Sequence, residues 1–393
     1  MPSLHFFRSE RYAAAMLLGA AALALLLANL PIGPALLTAR DAHGGIPALG
    51  LDLSVGHWIS DGLLVIFFFL VAIELRHELT RGELASPSRA LIPAIAAVGG
   101  VAVPAGVFLL ISAGSGYAEG WPIPTATDIA FALGVLAIFG RGLPSRVRAF
   151  LLALAVLDDL VAILIIALFF TREPNLLMLV AAAVAVAAFG MLSRLLRGPA
   201  RIPIAVALVV LAVLAWYFVY RSGVHATIAG VALGVVMSPK PAHRTYNAIE
   251  PFSNTIVLPL FAFSAALVAI PQVSVGELAA PFWGILVGLP VGKLLGITVV
   301  GGIAIWISHR RGNRILRRGE LLAVGALGGI GFTVSLLMNE LAFAQSEEVA
   351  DEGTLAVLLG SAVSIAASAG IVSAVSRRAR KRTEPVAAPT PTR

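Results

Sequence analysis

Residues 151–171 read LLALAVLDDLVAILIIALFFT, with two adjacent aspartates, Asp158 and Asp159, inside an apolar stretch. A carboxylate at the centre of a membrane-spanning helix costs about 2.5–3.5 kcal/mol on insertion scales, so a pair costs roughly twice as much. Membrane helices carry such a cost mainly where the residues line ion paths or proton relays. The pair therefore predicts a membrane protein that handles cations or protons within the bilayer.

The composition agrees with a membrane setting. Of the 393 residues, 59% are hydrophobic and 12% are charged, and the charged fraction is about half of the roughly 25% found in soluble domains. The chain has no cysteine, which excludes disulfides, thiolate metal sites and thiol chemistry. We therefore expect an all-α polytopic membrane protein.

Apolar runs of about 20 residues predict twelve transmembrane helices. The spans lie near 11–30, 57–80, 89–113, 121–140, 146–171, 176–195, 203–220, 222–237, 247–270, 281–307, 319–343 and 353–376. The first could be mistaken for a signal peptide, but its apolar stretch exceeds the usual core of about 7–15 residues, so we expect it to be retained. Residues 1–10 precede this twelve-span domain, 11–376, and the basic, Pro- and Thr-rich residues 377–393 are expected to be disordered.

The basic residues gather on alternate connections. Of the 28 Lys and Arg, 23 fall on one face and three, Arg40, Arg172 and Arg221, on the other, while Lys293 lies in a span and Arg393 ends the chain. The positive-inside rule then places both termini in the cytoplasm and requires an even number of spans. The net charge of +7 thus reflects orientation and contact with anionic lipid, and no nucleic-acid partner is expected.

Two predicted spans contain helix-breaking residues. The fourth begins WPIPTATDIAFALG (121–134), and the eleventh reads LLAVGALGGIGFTVSLL (321–337), with four glycines. Non-helical backbone at this depth is tolerated only where it lines a cavity or packs on protein. Each broken span is the centre of a three-span unit, and the two units start on opposite sides of the membrane. This arrangement indicates a transporter built from inverted repeats, although the glycines alone could also serve close helix packing.

Five strings, TATDIAFALGVLA, FLLALAVLDDLVAILIIALFFT, RSGVHATIAGV, LPLFAF and GGIGFTVS, resemble the NhaA-type sodium/proton antiporter family in order and spacing, over about residues 5–375. This family is itself an established example of the inverted-repeat design. The resemblance implies a transporter without a cofactor, not an enzyme, in the bacterial inner membrane. It would exchange sodium, and also lithium, for protons in an electrogenic, pH-dependent cycle that serves sodium and pH homeostasis. A core of 89–171 and 281–376 would move against a panel of 11–80 and 176–270.

The aspartates suit such an exchange. Asp158 and Asp159 point about 100° apart on a helix, so they are expected to have distinct tasks. Sodium, like other hard cations, prefers oxygen ligands, and Asp128 and Thr127 at the broken span can supply them. By resemblance, Asp159 is the shared carrier of sodium and protons, Asp158 is its partner in binding sodium, and Asp128 lies beside the site. The alternative interpretation of the aspartates is a buried structural cluster in which each carboxylate has its hydrogen-bond partners.

Lys293, in GILVGLPVGKLLGITVVGG (284–302), is the only lysine in a span. It lies about a dozen residues into the span, which argues against snorkelling to the interface. Gly288, Gly292 and Gly296 clear one helix face for a close neighbour. We expect Lys293 to pair with Asp158 and, because buried lysines lose protons readily, to be a second proton carrier.

The end of the second span, IELRHELTRGEL (73–84), carries Glu74, His77, Glu78 and Arg81 on successive helical turns. The resemblance ties this region to pH control, whereas the residues alone fit a solvated helix end equally well. A zinc motif of the HExxH type is excluded because Arg81 takes the place of the second histidine. His225 is either a further pH-response residue or a histidine satisfied at a helix start.

The chain departs from the family in three places. Tyr246 stands where the family usually has a glutamate, with Glu250 one turn later, and Ala265-Ala266-Leu267 replaces the family's Asn-Ala-Gly. The stretch 46–56 is only a brief match to the family's dimer-forming hairpin. These differences concern pH control and the strength of a homodimer, not ion exchange.

Three other functional classes fit the sequence less well. An intramembrane aspartyl protease needs aspartates on separate helices, typically with a GxGD string that is absent here. A cation channel would want repeated acidic rings and would have no need for Lys293. A sodium-coupled symporter of a small organic solute is the closer alternative, but it needs a larger polar pocket than the site spans can line.

Overall fold

The computed structural model describes residues 10–171, 174–196, 201–270, 275–309 and 316–383, which are almost wholly helical. The fourteen helices of this part of the chain are α1 Glu10–Ala28, α2 Gly33–Asp41, α3 Val55–Arg81, α4 Pro87–Ile111, α5 Ile129–Phe139, α6 Ser145–Phe169, α7 Leu176–Ser193, α8 Arg201–Arg221, α9 Thr227–Val236, α10 Pro239–Ala265, α11 Ala280–Ser308, α12 Arg318–Gly328, α13 Phe332–Ala342 and α14 Glu347–Thr383. Single helical turns lie at Pro47–Leu49, Glu83–Ala85, Ala118–Gly120 and Ile123–Thr125. Two short strands, β1 His43–Ile46 and β2 Leu51–Ser54, complete the fold.

Burial separates the helices into inner and outer elements. In the most apolar 18-residue window, 72% of the span 118–139 and 61% of α6 are buried, against 22% of α7 and 17% of the span 202–221 within α8. A helix that is apolar all round and mostly exposed faces lipid rather than water. The largest buried cluster joins residues of α1, α3–α6 and α10–α14. A second cluster joins other residues of α3 with α7, α8, α9 and the start of α10.

The described helices include nine that are long and apolar enough to span a membrane, or up to eleven with two bent pairs. The predicted span 222–237 is the helix Thr227–Val236, whose ten residues rise about 15 Å, half of the roughly 30 Å hydrocarbon thickness. Residues 222–226 precede this helix and are not helical, because they form a turn in which Gly223 has a φ of 79°. A mostly helical, multi-span protein is thus confirmed, and the count of twelve spans stays a prediction.

The structure differs from the sequence-based expectations in two respects. The predicted disordered tail, 377–393, begins too early, because α14 continues to Thr383. Arg and Lys are good helix formers and are favourable at a helix C-terminus, and the first proline after them is Pro385. Residues 384–393, like most of the N-terminal segment 1–10, lie outside the described residues. The fold is also not purely helical, since β1 pairs antiparallel with β2, with His43 opposite Ser54 and Ile46 opposite Leu51.

The bundle has two ends with different chemistry. At the end we call acidic, a cavity is lined jointly by the hairpin, the start of α3 and the start of α14 with Glu347 and Asp351. At the basic end, Arg146 of α6 forms two hydrogen bonds to Glu320 of α12, at 2.6 and 3.0 Å, and Arg76 donates to the carbonyl oxygen of Val235. The candidate site lies between these ends.

Candidate functional site

Two interrupted helical segments cross in the middle of the bundle. The first is extended at Ala126 and Asp128, between the turn Ile123–Thr125 and α5. The second is non-helical between Gly328 and Phe332, where α12 and α13 meet at 45°. The backbone nitrogen of Asp128 donates to the carbonyl oxygen of Ile330 at 2.6 Å, so one hydrogen bond joins the two breaks.

The carboxylate of Asp128 accepts hydrogen bonds from the helices that follow both breaks. It is 5% exposed and accepts hydrogen bonds from the backbone nitrogens of Phe131 and Thr333, both at 3.2 Å. The Thr333 hydroxyl adds a third at 2.7 Å. Negative charge is stabilised at helix N-termini, and here one carboxylate serves the first turns of α5 and α13. Asp128 therefore lies beside the predicted site and is already occupied by backbone donors.

The crossing requires glycine at the break. A Cβ built on Gly331 would lie 2.3 Å from Ser335 Oγ, 2.6 Å from a methyl carbon of Leu289 and 3.1 Å from the carbonyl oxygen of Ala126. A Cβ on Gly328 would lie 2.5 Å from a methyl carbon of Ile297. Close packing, which the sequence left as one explanation of these glycines, is therefore present at the break itself.

Lys293 contacts Asp158, as the sequence predicted. Both side chains are 0% exposed, and Lys293 Nζ forms an ion pair with Asp158 Oδ2. Lys293 Nζ also donates to Thr127 Oγ1 at 2.6 Å. That hydroxyl lies 2.7 Å from Asp158 Oδ2 and 2.8 Å from the carbonyl oxygen of Gly328, and it can donate to only one of them. The cluster thus ties α11, α6 and both breaks together.

Oxygen atoms without donors remain in this cluster. Asp158 Oδ1 is buried and has no hydrogen-bond partner. Asp159 is 6% exposed, and no hydrogen bond to its carboxylate occurs within the described residues. Asp158, Asp128 and Glu74 repel its charge, while Lys293 attracts it. Within the described residues these atoms therefore do not form a fully satisfied hydrogen-bond cluster.

The described part of the chain contains no group of three or more His, Asp or Glu side chains placed to hold a metal ion. Sodium at Asp159 and Asp158 would therefore need hydroxyl or backbone oxygens as further ligands, and its position there stays a prediction.

Lys293 is positioned by a widened helical turn. Residues 288–292 form a π-helical turn, in which the nitrogen of Lys293 donates to the carbonyl oxygen of Gly288. Built Cβ atoms on Gly292 and Gly296 would lie 2.7 Å from Pro104 Cα and 2.0 Å from the carbonyl oxygen of Gly99. The predicted glycine face is thus confirmed as the contact with α4, and since Lys293 is fully buried it does not snorkel.

The predicted pH-response residues do not form one group. Glu74, His77, Glu78 and Arg81 line a cleft of about 600 Å³ between the end of α3 and the start of α10. Within it, the hydroxyl of Tyr246 donates to Glu74 Oε2 at 3.3 Å. The tyrosine that replaces the family's glutamate is therefore itself a partner of Glu74.

His225 lies at the other end of the bundle. Its Nδ1 is 2.7 Å from Thr227 Oγ1, and its Nε2 is 3.1 Å from Asp61 Oδ1. Both ring nitrogens are thus engaged, which matches the interpretation of a histidine satisfied at a helix start.

Sequence reasoning missed two acidic residues at the acidic end, Asp61 and Glu340. Glu340 lies in the eleventh predicted span, LLMNELAF (336–343), and an acid in a span is itself a signal of function.

The chain as a whole is similar in sequence to known proteins. A sequence model of the family described as Na+/H+ antiporter 1 matches residues 4–372. The Na(+)/H(+) antiporter NhaA 2 of Clavibacter michiganensis is 59% identical over 378 residues, covering 95% of this chain and 92% of the relative. The Na(+)/H(+) antiporter NhaA of Tropheryma whipplei is 47% identical, over 92% of this chain and 93% of the relative. That of Streptomyces antibioticus is 44% identical, over 95% and 79%.

Proposed function

The chain belongs to the NhaA family of Na⁺/H⁺ antiporters, which are transporters and not enzymes, and we propose that it exchanges sodium for protons at Asp158, Asp159, Thr127 and Lys293. One observation carries this assignment. Lys293 forms an ion pair with Asp158, while the neighbouring carboxylate of Asp159 has no hydrogen-bond donor among the described residues. A buried carboxylate in that position needs a proton or a cation.

Competition for the same oxygens produces the exchange. A sodium ion that reaches Asp159 displaces the proton from that carboxylate and competes with the Lys293 ammonium for Asp158. The ammonium is fully buried, and next to a second cation its neutral form becomes the favoured one. Both protons leave on the side from which sodium entered, and both are taken up again when sodium departs on the other side.

This scheme makes the cycle electrogenic. Two protons, one from Asp159 and one from Lys293, cross against one sodium ion, so each cycle moves one net charge. Lithium is a smaller hard cation with the same preference for oxygen ligands, and we propose that it is transported as well. Activity depends on pH because protonated carboxylates bind sodium poorly, and the physiological roles are sodium and pH homeostasis.

The membrane arrangement is also proposed. With the arginine-rich connections inside, the basic end faces the cytoplasm of a bacterial inner membrane and both termini are cytoplasmic. Twelve spans then form two inverted repeats, each centred on one of the interrupted helices, and 89–171 with 281–376 moves against 11–80 with 176–270. The basic end contacts anionic lipid. Pairing of two copies through the stretch 46–56 gives a homodimer.

The direct experiment is dye-monitored proton movement in proteoliposomes. Addition of sodium or lithium should release protons into the solution to which the cation is added, and addition of potassium should not. An imposed membrane potential should change the rate, because charge moves in each cycle. Proton movement that requires an added organic solute would support the symporter instead, and no movement with any cation would refute the exchange.

A further inference from the structure

Glu340 is a carboxylate that the exchange at Asp159 does not use. It lies on α13 seven residues after Thr333, the residue that holds Asp128. Seven residues are about two helical turns, so Glu340 and Thr333 share a face about 10 Å apart along the axis. Glu340 therefore stands between the ion site and the acidic end of the bundle.

A cavity at the acidic end reaches Glu340. Its volume is about 270 Å³, and its walls include Asn339 and Glu340 of α13, and His57 and Ser60 of α3. We call it the vestibule. Since water occupies roughly 30 Å³ per molecule in the liquid, the vestibule can hold several waters or a hydrated cation. Asp41 and Asp351 lie at its wall as further negative groups.

Polar atoms in the vestibule are short of partners. Ser60 Oγ donates to Glu340 Oε1 at 3.3 Å, and within the described residues no other hydrogen bond reaches this carboxylate. The neighbouring Asn339 is not available as a ligand, because its amide nitrogen bonds to Ala350 and Thr354 and its Oδ1 is buried against Gly353. A carboxylate and a hydroxyl are among the oxygen ligands that hard cations prefer.

The charges around Glu340 favour a cation. Asp61 repels its negative charge, and His57 and His225 are the nearby groups that can oppose it. His57 Nδ1 is 2.8 Å from Ser54 Oγ, and His225 Nε2 is 3.1 Å from Asp61. The wall of the vestibule carries more acidic than basic side chains, namely Asp41, Glu340, Glu347 and Asp351 against Arg40, and such a concave, negatively charged site concentrates cations.

We propose that Glu340, with Ser60, is a second binding station for a monovalent cation, through which sodium passes between the ion site and the outside. This inference rests on the proposed function and its orientation. The station lies on one side only of the Asp159 cluster, so it serves exchange of sodium with the outer solution and leaves binding from the cytoplasm to the inner path.

Sidedness is the test. The apparent sodium constant for proton exchange is measured in right-side-out and in inverted membrane vesicles, for the wild type and for Glu340→Gln. The substitution keeps size and removes charge. We expect the constant from the outer side to rise about fivefold or more, as loss of electrostatic steering predicts, and the constant from the inner side to stay within about twofold. Glu119→Gln, an exposed glutamate outside the vestibule wall, should change neither.

Each outcome decides the proposal. An equal change on both sides, or none, would overturn the station while leaving the exchange intact. Absence of exchange in the wild type would instead refute the proposed function. If Glu340→Gln does not insert, Ser60→Ala and Glu340→Asp take its place. Ser60→Ala should raise the outer constant alone, Glu340→Asp should keep it close to the wild-type value, and the opposite pattern would contradict the assignment.

Discussion

Thr333 donates two hydrogen bonds to the same oxygen of Asp128, one from its backbone nitrogen at 3.2 Å and one from its hydroxyl at 2.7 Å. The two residues are 205 positions apart, so this contact fixes the crossing of the two interrupted helices. Because Asp128 also accepts from Phe131, its charge is spread over the first turns of both helices.

Thr333→Val should weaken this crossing. The change removes the hydroxyl donor and keeps the side-chain shape, and loss of a hydrogen bond to a charged group costs about 1.5–3 kcal/mol. Thermal unfolding in detergent should occur at a lower temperature. Thr298→Val is the matched control, because among the described residues the hydroxyl of Thr298 bonds only to the Leu294 carbonyl of its own helix. Equal losses in both variants would show that the crossing has no special energetic role.

Lys293→Ala should destabilise the protein, since it leaves the carboxylate of Asp158 buried without its partner. Breaking a buried ion pair in this way costs about 3–5 kcal/mol. The double variant with Asp158→Asn should recover part of the lost stability. The measurement is thermal unfolding of the wild type, the two single variants and the double variant. If the two losses simply add, the ion pair does not contribute.

Gly331→Ala should lower stability and transport together, because the new methyl group would collide with Ser335, Leu289 and the Ala126 carbonyl. Gly370→Ala is the control. Gly370 lies within α14 and has nothing within 4 Å of a built Cβ, so alanine there should be neutral or stabilise by about 0.5–1 kcal/mol. A Gly331→Ala variant with wild-type stability and transport would mean that the two breaks are not in close contact.

Part of this site could be predicted from the sequence, and part could not. The contact of Lys293 with Asp158 and the glycine face of α11 followed from charge in an apolar setting and from spacing. The hydrogen bonds between the breaks could not be predicted, because they join backbone atoms whose neighbours depend on tertiary packing. The partnership of Tyr246 with Glu74 was missed for the same reason, since the sequence showed only a lost glutamate and not the hydroxyl that reaches Glu74.

Activity should fall as the pH falls. Protonated carboxylates at Asp158 and Asp159 cannot bind sodium, so the apparent sodium constant must rise on the acid side whether or not a separate sensor exists. We expect the profile from about pH 6.5 to 9 to follow sodium affinity alone, with His77→Ala and His225→Ala close to the wild type in spite of their titration range. A shift of about one pH unit in either variant at saturating sodium would show that a dedicated sensor operates.

The measurement that tests the exchange most directly is sodium-driven proton movement by Asp159→Asn in proteoliposomes. Asparagine keeps the size of the side chain but can neither give up a proton nor carry the charge that binds sodium. Asp52→Asn, at an exposed aspartate of the hairpin, is the matched control and should transport normally. We predict that Asp159→Asn inserts and unfolds like the wild type but moves no protons. Retention of more than about a tenth of wild-type transport would contradict the assignment of Asp159 as the shared carrier of sodium and protons.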